Sequence, residues 1–292
     1  MKDLLNNMAR ILFVLLLLIF SLATEAQTIH WIVFGDTRDE LIAEEVGNSI
    51  SVYNSQFVDR INDAIVPKGY LPRQQTYTGM NFTTAKCNQV IKRLSCGKDD
   101  IIVFYYLGHA GRAEVGKDEA AMYNAKYPWP DLQFEDGSTR DLNRISLNDI
   151  HNSLKRKGAR LTITMGMCCN NPKSQYKRHG KSSQSVRYKI VSKKFAKKVA
   201  QSLFLKHKGS LMVASAKPGE ESQGANSYNG LDVDCFTSAI CETMDKFANN
   251  DTGDNVTWAG FMNEVSSKCT ALAKIQGEEQ HPKVQNFTTS AK

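Results

Sequence analysis

The sequence predicts an α/β protein in which helices flank a mostly parallel central sheet, as in a doubly wound sandwich. The first observation is Ile101–Leu107, seven apolar or aromatic residues in a row, which is typical of a parallel strand covered on both faces. The second is that short apolar runs alternate with helical patterns along the chain. With 292 residues, 41% of them hydrophobic and 23% charged, the composition excludes collagen, low-complexity disorder and a small disulfide scaffold.

The first half of the chain begins with a strand at Trp31–Phe34, which ends at Gly35. Apolar residues then recur at steps of three and four from residue 46 to residue 65, which predicts a helix packed on a sheet. A second helix at Thr83–Leu94 precedes the strand at Ile101–Leu107. That strand ends where glycine appears at the next position.

The second half opens with residues 112–140, where proline and charged residues predict a loop region. A helix at Asn148–Arg156 precedes a strand at Leu161–Met165. The remaining predicted elements are a helix over 191–203, a strand at Leu211–Ala214 and two closing helices over 236–247 and 258–272. Neither an internal repeat nor a linker divides residues 28–292, so they predict one domain.

The first 26 residues have the three-part layout of a secretory signal and precede the predicted domain. Ile11–Phe20 is an unbroken apolar run, shorter than the roughly 20 residues that a membrane span needs. Small or polar residues follow up to Ala26, where a signal peptidase would cut. We therefore expect an exported protein, secreted or periplasmic, with no stable membrane insertion after cleavage. An uncleaved N-terminal anchor is the alternative.

The net charge of +7 is unevenly distributed. From Ile150 to Gly219 the chain has 17 Lys and Arg residues and no Asp or Glu, whereas the remainder has 20 basic and 30 acidic residues. Such asymmetry indicates an anion-binding surface or an exposed, extended loop. Few aromatic residues lie among these charges to stack on bases, so we expect no nucleic-acid partner.

The chain has seven cysteines, an odd number, so at least one is free or pairs between chains. Buried core thiols are as compatible with the sequence as disulfides, because a core of this size needs no covalent staples. The candidate disulfide pairs are Cys87 with Cys96, and Cys235 or Cys241 with Cys269.

Metal and cofactor sites are not expected from the sequence. Neither a C-x-x-C nor a His-rich spacing points to zinc, and the chain has no EF-hand loop for calcium. A loose acidic cluster predicts a solvated loop rather than a metal site; its members are Asp131, Glu135, Asp136 and Asp141.

Two chemically reactive side chains follow predicted strands. His109 comes one glycine after Ile101–Leu107, and Cys169 comes shortly after Leu161–Met165. If these parallel strands are neighbours, the imidazole and the thiol lie at the same edge of the sheet. An imidazole stabilises a thiolate and protonates a leaving amine, so the pair predicts nucleophilic catalysis by cysteine. Taken singly, the residues also fit a capping histidine and a small core cysteine.

Four segments resemble caspase-like cysteine peptidases, the clan of caspases, metacaspases and related bacterial proteins. The segment IIVFYYLGHAGR at Ile101–Arg112 resembles their strand and His-Gly turn, and RLTITMGMCCNN at Arg160–Asn171 resembles their nucleophile segment. The segment LMVASAKPGEE at Leu211–Glu221 is similar to a strand that helps to form the substrate cleft, and Gly230–Met244 to the helix that follows. The similarity covers about Thr28 to the C terminus.

The resemblance implies a caspase-like fold and an endopeptidase that hydrolyses peptide or protein substrates without a cofactor, although some relatives use calcium for activation. His109 would be the general acid/base, Cys169 the nucleophile, and the backbone N–H groups of Ala110 and Cys169 the oxyanion donors. Ala110 stands where the family usually has glycine. Cys168 is the alternative nucleophile, because only one of two adjacent strand residues can face the cleft. Asn170 fits the position that follows the nucleophile in the family, which favours Cys169.

The substrate pocket departs from the family pattern at Met167, where metacaspases have an aspartate that receives a basic P1 side chain. A basic P1 residue needs a carboxylate, and Asp36, Glu220 and Glu221 are the remaining candidates at the predicted rim. The alternative is a shallow pocket, lined by Met167, that accepts an uncharged P1 residue.

A basic segment follows the nucleophile, in the region where caspase-like enzymes are often cut during maturation. Lys173–Lys198 has ten Lys or Arg residues and no acid. If the pocket accepts a basic P1 residue, we expect self-cleavage near Lys177, Arg178 or Arg187.

The second functional hypothesis is a catalytically silent binding protein that has the caspase fold and a basic, anion-binding face. Ala110 and Met167 motivate it, because both depart from the family pattern. Labelling of Cys169 by an alkylating peptide distinguishes the enzyme from the binding protein.

Overall fold

A six-stranded sheet lies at the centre of the protein and confirms the predicted fold class. From one edge to the other its strands are β2 (Tyr70–Tyr77), β1 (Gln27–Gly35), β3 (Ile101–Leu107), β7 (Leu161–Met167), β9 (His207–Ala214) and β12 (Lys283–Ser290). Every neighbouring pair is parallel except β9 with β12. The carboxyl ends of the five parallel strands therefore meet at one edge of the sheet.

This computed structural model describes residues 26–113, 116, 122, 124–134, 143–172, 185–186, 193–224, 226–228, 230–249 and 253–291. The predicted secretory signal lies outside these residues, apart from Ala26, and so do the predicted cleavage positions Lys177, Arg178 and Arg187. None of the helices in the described ranges is long and apolar enough to cross a membrane.

Helices cover both faces of the sheet. One face carries α1 (Ala43–Tyr53), α2 (Asp59–Ile65), α5 (Lys193–Leu205), α6 (Cys235–Asn249) and α7 (Trp258–Ile275), and the other carries α3 (Thr84–Arg93) and α4 (Leu147–Lys155). In β3, Val103 and Tyr105 point into the first core and Ile102 and Phe104 into the second. Because side chains alternate along a strand, burial on both faces explains the unbroken apolar run in β3.

The helix predicted over 46–65 is present, but a π-helical turn at Asn54–Val58 joins α1 to α2. Tyr53 and Phe57 both pack edge-on against Trp31 of β1, with ring centroids 6.5 and 6.3 Å away. The apolar stripe therefore does what its spacing predicts and covers the centre of the sheet.

Two strands of the central sheet were not predicted from the sequence, and both lie at its edges. β2 is mostly exposed and polar, and it includes Pro72, which an edge strand tolerates because one side of its backbone needs no partner. β12 is also polar and partly exposed. It approaches β9 closely at Gly209, where a Cβ atom would lie 2.3 Å from the carbonyl oxygen of Phe287. Edge strands bury too little surface to show an apolar pattern.

The prediction of a continuous loop over 112–140 is wrong for residues 131–134. They form β5 (Asp131–Phe134), which pairs with β4 (Ala110–Gly111) and β6 (Asn143–Ser146) in a small antiparallel sheet. Strands this short have no detectable periodicity, and β4 is distant in sequence. Asp131 is consequently a partly buried strand residue rather than part of a solvated loop, whereas Glu135, Asp136 and Asp141 lie outside the described residues.

A third sheet, also small, has strands that follow Cys169 in the chain. Its strands are β8 (Ser185–Val186), β10 (Asn226–Tyr228) and β11 (Leu231–Val233). Tyr228 and Val233 pack with Val52 of α1, so this sheet is attached to the helical face that carries α1.

All seven cysteines lie in the described ranges, and each is a free thiol. Five are buried, and only Cys96 and Cys169 are partly exposed. We therefore expect a thiol reagent to titrate seven groups per chain in denaturant without prior reduction. Fewer than seven, with the missing groups recovered after reduction, would contradict this arrangement and indicate a disulfide.

Candidate active site

The register of β3 and β7 leaves His109 and Cys169 at equivalent positions beyond the ends of two neighbouring strands. Leu107 pairs with Met167 at the ends of the two strands, and the Gly108 N–H donates to the Met167 carbonyl at 3.2 Å. Farther along, the Arg112 N–H donates to the Asn171 carbonyl at 3.1 Å. His109 and Cys169 lie between these two hydrogen bonds, each two residues beyond the paired strand ends.

A carboxylate from the loop after β1 lies beside the imidazole. The Oδ2 atom of Asp39 is 3.5 Å from Nε2 of His109, and both side chains are partly exposed. A carboxylate at Nε2 favours the tautomer protonated there and leaves Nδ1 as the basic nitrogen. Asp39 could not be predicted from local sequence, because only the folding of the loop after β1 brings it to the histidine.

Asp36, a predicted substrate contact, shapes this same loop. Its Oδ1 accepts the N–H groups of Arg38 and Asp39, each at 3.2 Å, and its own N–H donates to the Leu107 carbonyl at 2.9 Å. The residue is only 4% exposed, and burial raises the pKa of its carboxyl group. These contacts support a role in placing Asp39 rather than in receiving a substrate side chain.

The backbone around His109 is held by β5 and by the buried phenol of Tyr106. The His109 carbonyl accepts the Gln133 N–H at 2.9 Å and the Tyr106 hydroxyl at 2.5 Å. The same hydroxyl also contacts the Gln133 carbonyl. A hydroxyl shared by two carbonyls ties the His109 turn to both β3 and β5.

We expect Tyr106→Phe to loosen this turn. Loss of the hydroxyl leaves the buried Gln133 carbonyl without this donor, which costs about 1–3 kcal/mol of unfolding free energy. For the peptidase that the resemblance implies, a less well positioned histidine should lower kcat by roughly tenfold and leave KM unchanged. Denaturant unfolding and steady-state kinetics measure the two effects, and a stability loss with an unaltered kcat would show that Tyr106 only supports the fold.

The direction of the Ala110 N–H follows from the strand pairing. Ala110 lies opposite Leu132, while the Gln133 N–H donates to the His109 carbonyl. Ala110 is therefore at a non-hydrogen-bonded position of this antiparallel pair, and its N–H points away from β5. The Arg112 N–H, two residues on, points the same way and reaches the segment that follows Cys169.

The adjacent thiols lie in different environments. Cys168 is 1% exposed and packs in the core beneath α3 and α4, and its N–H donates to the Ser215 hydroxyl at 2.9 Å. Cys169 is partly exposed, and its thiol accepts the Ser222 N–H. Cys168 is thus a structural core residue, and Cys169 is the more accessible of the two thiols.

Two carboxylates lie near the Cys169 thiol. Burial above all, together with the nearby carboxylates of Glu221 and Glu45, raises the pKa of Cys169 to about 12. Because its pKa is raised, this thiol is protonated at neutral pH in the substrate-free protein. Catalytic cysteines, in contrast, usually have lowered pKa values. Glu45 comes from α1 and was not a sequence candidate. Its carboxylate lies against Gly224, where a Cβ atom would be 1.7 Å from it.

The remaining predicted pocket residues have other surroundings. Glu220 accepts from His281 at 2.7 Å and pairs with Lys217 at 3.0 Å, which holds it in a surface network. Met167 is 5% exposed and belongs to the apolar core, so little of it is available to a substrate. Of the four predicted residues, Glu221 is the one whose carboxylate acts on the Cys169 thiol.

Asn170 ties three segments of the site together. Its side chain accepts from the Arg112 guanidinium at 3.1 Å and donates to the carbonyls of Ala216 and Pro128 at 3.1 and 3.2 Å. Asn170 and Arg112 are both buried. This network fixes the backbone just after Cys169, and buried supporting contacts of this kind limit the movement of a side chain.

No protein-family model and no curated protein matches this chain. Among solved structures, the chain is similar to the protein GSU0716 from Geobacter sulfurreducens, with 14% sequence identity and a TM-score of 0.45. The likeness covers 91% of this chain and 94% of that protein. A similarity of this degree decides neither the fold nor the function of the chain.

Proposed function

We propose that this chain is an exported caspase-like cysteine endopeptidase whose catalytic dyad is His109 and Cys169. The observation that carries the proposal is the parallel pairing of β3 with β7, which leaves the imidazole and the thiol at one edge of the sheet. Asp39 supplies the third group of a nucleophile, base and orienting carboxylate.

The proposed reaction begins with transfer of the Cys169 proton to His109. The thiolate then attacks the carbonyl carbon of the scissile bond, and the N–H groups of Ala110 and Cys169 donate to the resulting oxyanion. Collapse of this intermediate breaks the C–N bond, and His109 returns its proton to the leaving amine. Water, deprotonated by His109, hydrolyses the thioester and releases the carboxylic acid and the free thiol.

We further propose that a basic P1 side chain binds beside Glu45 and Glu221. These carboxylates lie near the Cys169 thiol and help to keep it protonated. A Lys or Arg side chain between them offsets their charge, which lowers the pKa of Cys169. Binding of the correct substrate then also promotes formation of the nucleophile.

The direct test uses the purified protein, a set of fluorogenic peptides that differ at P1, and N-terminal sequencing of any self-cleaved chain. We expect hydrolysis after Arg or Lys and new N termini after Lys177, Arg178 or Arg187. New termini that also appear in Cys169→Ala would come from a contaminating protease. A wild-type chain that stays intact and ignores every peptide would overturn the proposal.

The proposal of export has a separate test. Fractionation of the producing cells, followed by N-terminal sequencing of the released protein, should show a chain that begins at Gln27. A protein that stays in the cytoplasm with its first residues intact would contradict export but would not contradict the proposed peptidase activity.

The silent binding protein is the second candidate, and the raised pKa of the Cys169 thiol is the observation that favours it. Its basic face is less well supported, because described basic residues between Ile150 and Gly219 have structural partners. Arg160 donates to the carbonyls of His207 and Phe204, and Lys198 pairs with Asp254 at 2.9 Å. A chloromethyl ketone peptide with Arg at P1 should label Cys169 in the enzyme and leave the binding protein unmodified.

A further inference from the structure

A second cluster of reactive side chains lies at the opposite end of the sheet from Cys169. It consists of His30 in β1, Cys96 in the connection after α3, and Asp100 just before β3. One ligand atom from each residue lies within 4.8 Å of the others, and Nε2 of His30 is 3.4 Å from Oδ2 of Asp100. β3 separates this cluster from His109 by seven strand residues, or about 23 Å.

The three side chains form a ligand set rather than a chance grouping of acids. Imidazole nitrogen, thiolate sulfur and carboxylate oxygen are the three ligand types that zinc binds in proteins. In a tetrahedral zinc site, bond lengths near 2.0–2.3 Å put neighbouring ligand atoms about 3.3–3.8 Å apart. The separation of 3.4 Å between Nε2 of His30 and Oδ2 of Asp100 lies in this range. Because the three ligand atoms lie within 4.8 Å of one another, shifts of about an ångström bring the set to tetrahedral spacing.

The surroundings hold two ligands in place and leave the third accessible. The Thr28 and Gly97 N–H groups donate to the Asp100 carboxylate at 2.7 and 2.8 Å, which orients it as second-shell donors orient a metal ligand. His30 and Asp100 are 6% and 8% exposed. Cys96 is only partly buried and lies outside regular structure, so an ion can enter past it.

We propose that His30, Cys96 and Asp100 bind a divalent, borderline-soft transition metal ion, zinc above all, with water as the fourth ligand. A thiolate and a carboxylate bring two negative charges, which a divalent cation balances. The ion would tie the connection after α3 to β1. The spacing patterns used on the sequence miss such a site, because its ligands are 4 to 70 residues apart and strand pairing brings them together.

Titration of the metal-free protein with Co²⁺ tests the site, since a thiolate ligand gives a near-ultraviolet charge-transfer band and tetrahedral geometry gives intense visible bands. We expect one equivalent to bind, Zn²⁺ to displace it, and Zn²⁺ to raise the melting temperature. Cys96→Ser should abolish the charge-transfer band, and His30→Gln should weaken affinity by more than the 10–100-fold typical of a lost second-shell partner.

Cys169→Ala and His281→Gln are the matched controls, because each removes the same ligand type elsewhere in the chain. Both should bind Co²⁺ as the wild type does. Zn²⁺ should also protect Cys96, and not Cys169, from alkylation in a peptide map. Absence of the bands, a band that survives Cys96→Ser, or one lost in Cys169→Ala would each overturn the site. None of these readouts depends on peptidase activity.

Discussion

Cys169→Ala and His109→Ala should each lower peptide hydrolysis by about 10⁴-fold or more, because the nucleophile and its base act as one unit. Neither change should unfold the protein, since both side chains lie at the rim of the sheet and are partly exposed. Initial rates with the best fluorogenic peptide measure the loss, and thermal unfolding verifies the fold.

Cys168→Ala is the matched control for the nucleophile. It removes a buried thiol from the core beneath α3 and α4, so we expect a stability loss of about 1 kcal/mol and near-normal hydrolysis. If Cys168→Ala were inactive and Cys169→Ala active, the nucleophile would move by one residue and Gly166 would take the place that we assign to Met167.

The second large effect concerns the ionisation of Cys169. A pKa of about 12 in place of the ordinary value of 9.0 leaves about 1,000-fold less thiolate at pH 7. Iodoacetamide should therefore alkylate Cys169 slowly, with a rate that rises about tenfold for each pH unit and shows no plateau below pH 10. A rate that reaches a plateau near pH 6–7, as an ion pair between Cys169 and His109 would produce, would contradict the raised pKa. Peptide mapping at several pH values measures the rate at this residue alone.

Glu221→Gln should change alkylation and hydrolysis in opposite directions. Removal of a nearby negative charge lowers the pKa of Cys169, so the uncharged reagent reacts faster. Hydrolysis after Arg should fall about 30-fold in kcat/KM, equivalent to about 2 kcal/mol for a lost charge pair, while hydrolysis after an uncharged residue should not fall.

Glu220→Gln is the neighbouring control, because that carboxylate contacts His281 and Lys217 instead. It should leave both the alkylation rate and the P1 preference unchanged. Loss of the Arg preference in Glu220→Gln, with Glu221→Gln behaving as wild type, would reassign the pocket to the first of the two glutamates.

The central elements of the fold could be predicted from local pattern alone. Ile101–Leu107 is buried on both faces, so its unbroken apolar run was enough to predict a central strand. The stripe from 46 to 65 likewise faces one core. β2 and β12 could not be predicted in this way, because an edge strand is stabilised by backbone hydrogen bonds to its neighbour and needs few apolar side chains.

The same distinction applies to the candidate site, where some residues could be predicted from local pattern and others could not. His109 and Cys169 were found because each follows a buried strand, and the ends of parallel strands meet at one edge. The strand run alone does not say which carboxylates surround them. Asp39 and Glu45 reach the site through the loop and helix that follow β1, and nothing in their local sequence marks them.

The sequence by itself determined the buried strands and the two reactive side chains that follow them. Burial on both faces of a strand produces a local run of apolar residues, which can be recognised without the structure. Only the tertiary structure decided which strands are neighbours, that Cys168 faces the core, and that His30, Cys96 and Asp100 converge. Those outcomes depend on contacts between residues far apart in the chain, and such contacts leave no local pattern.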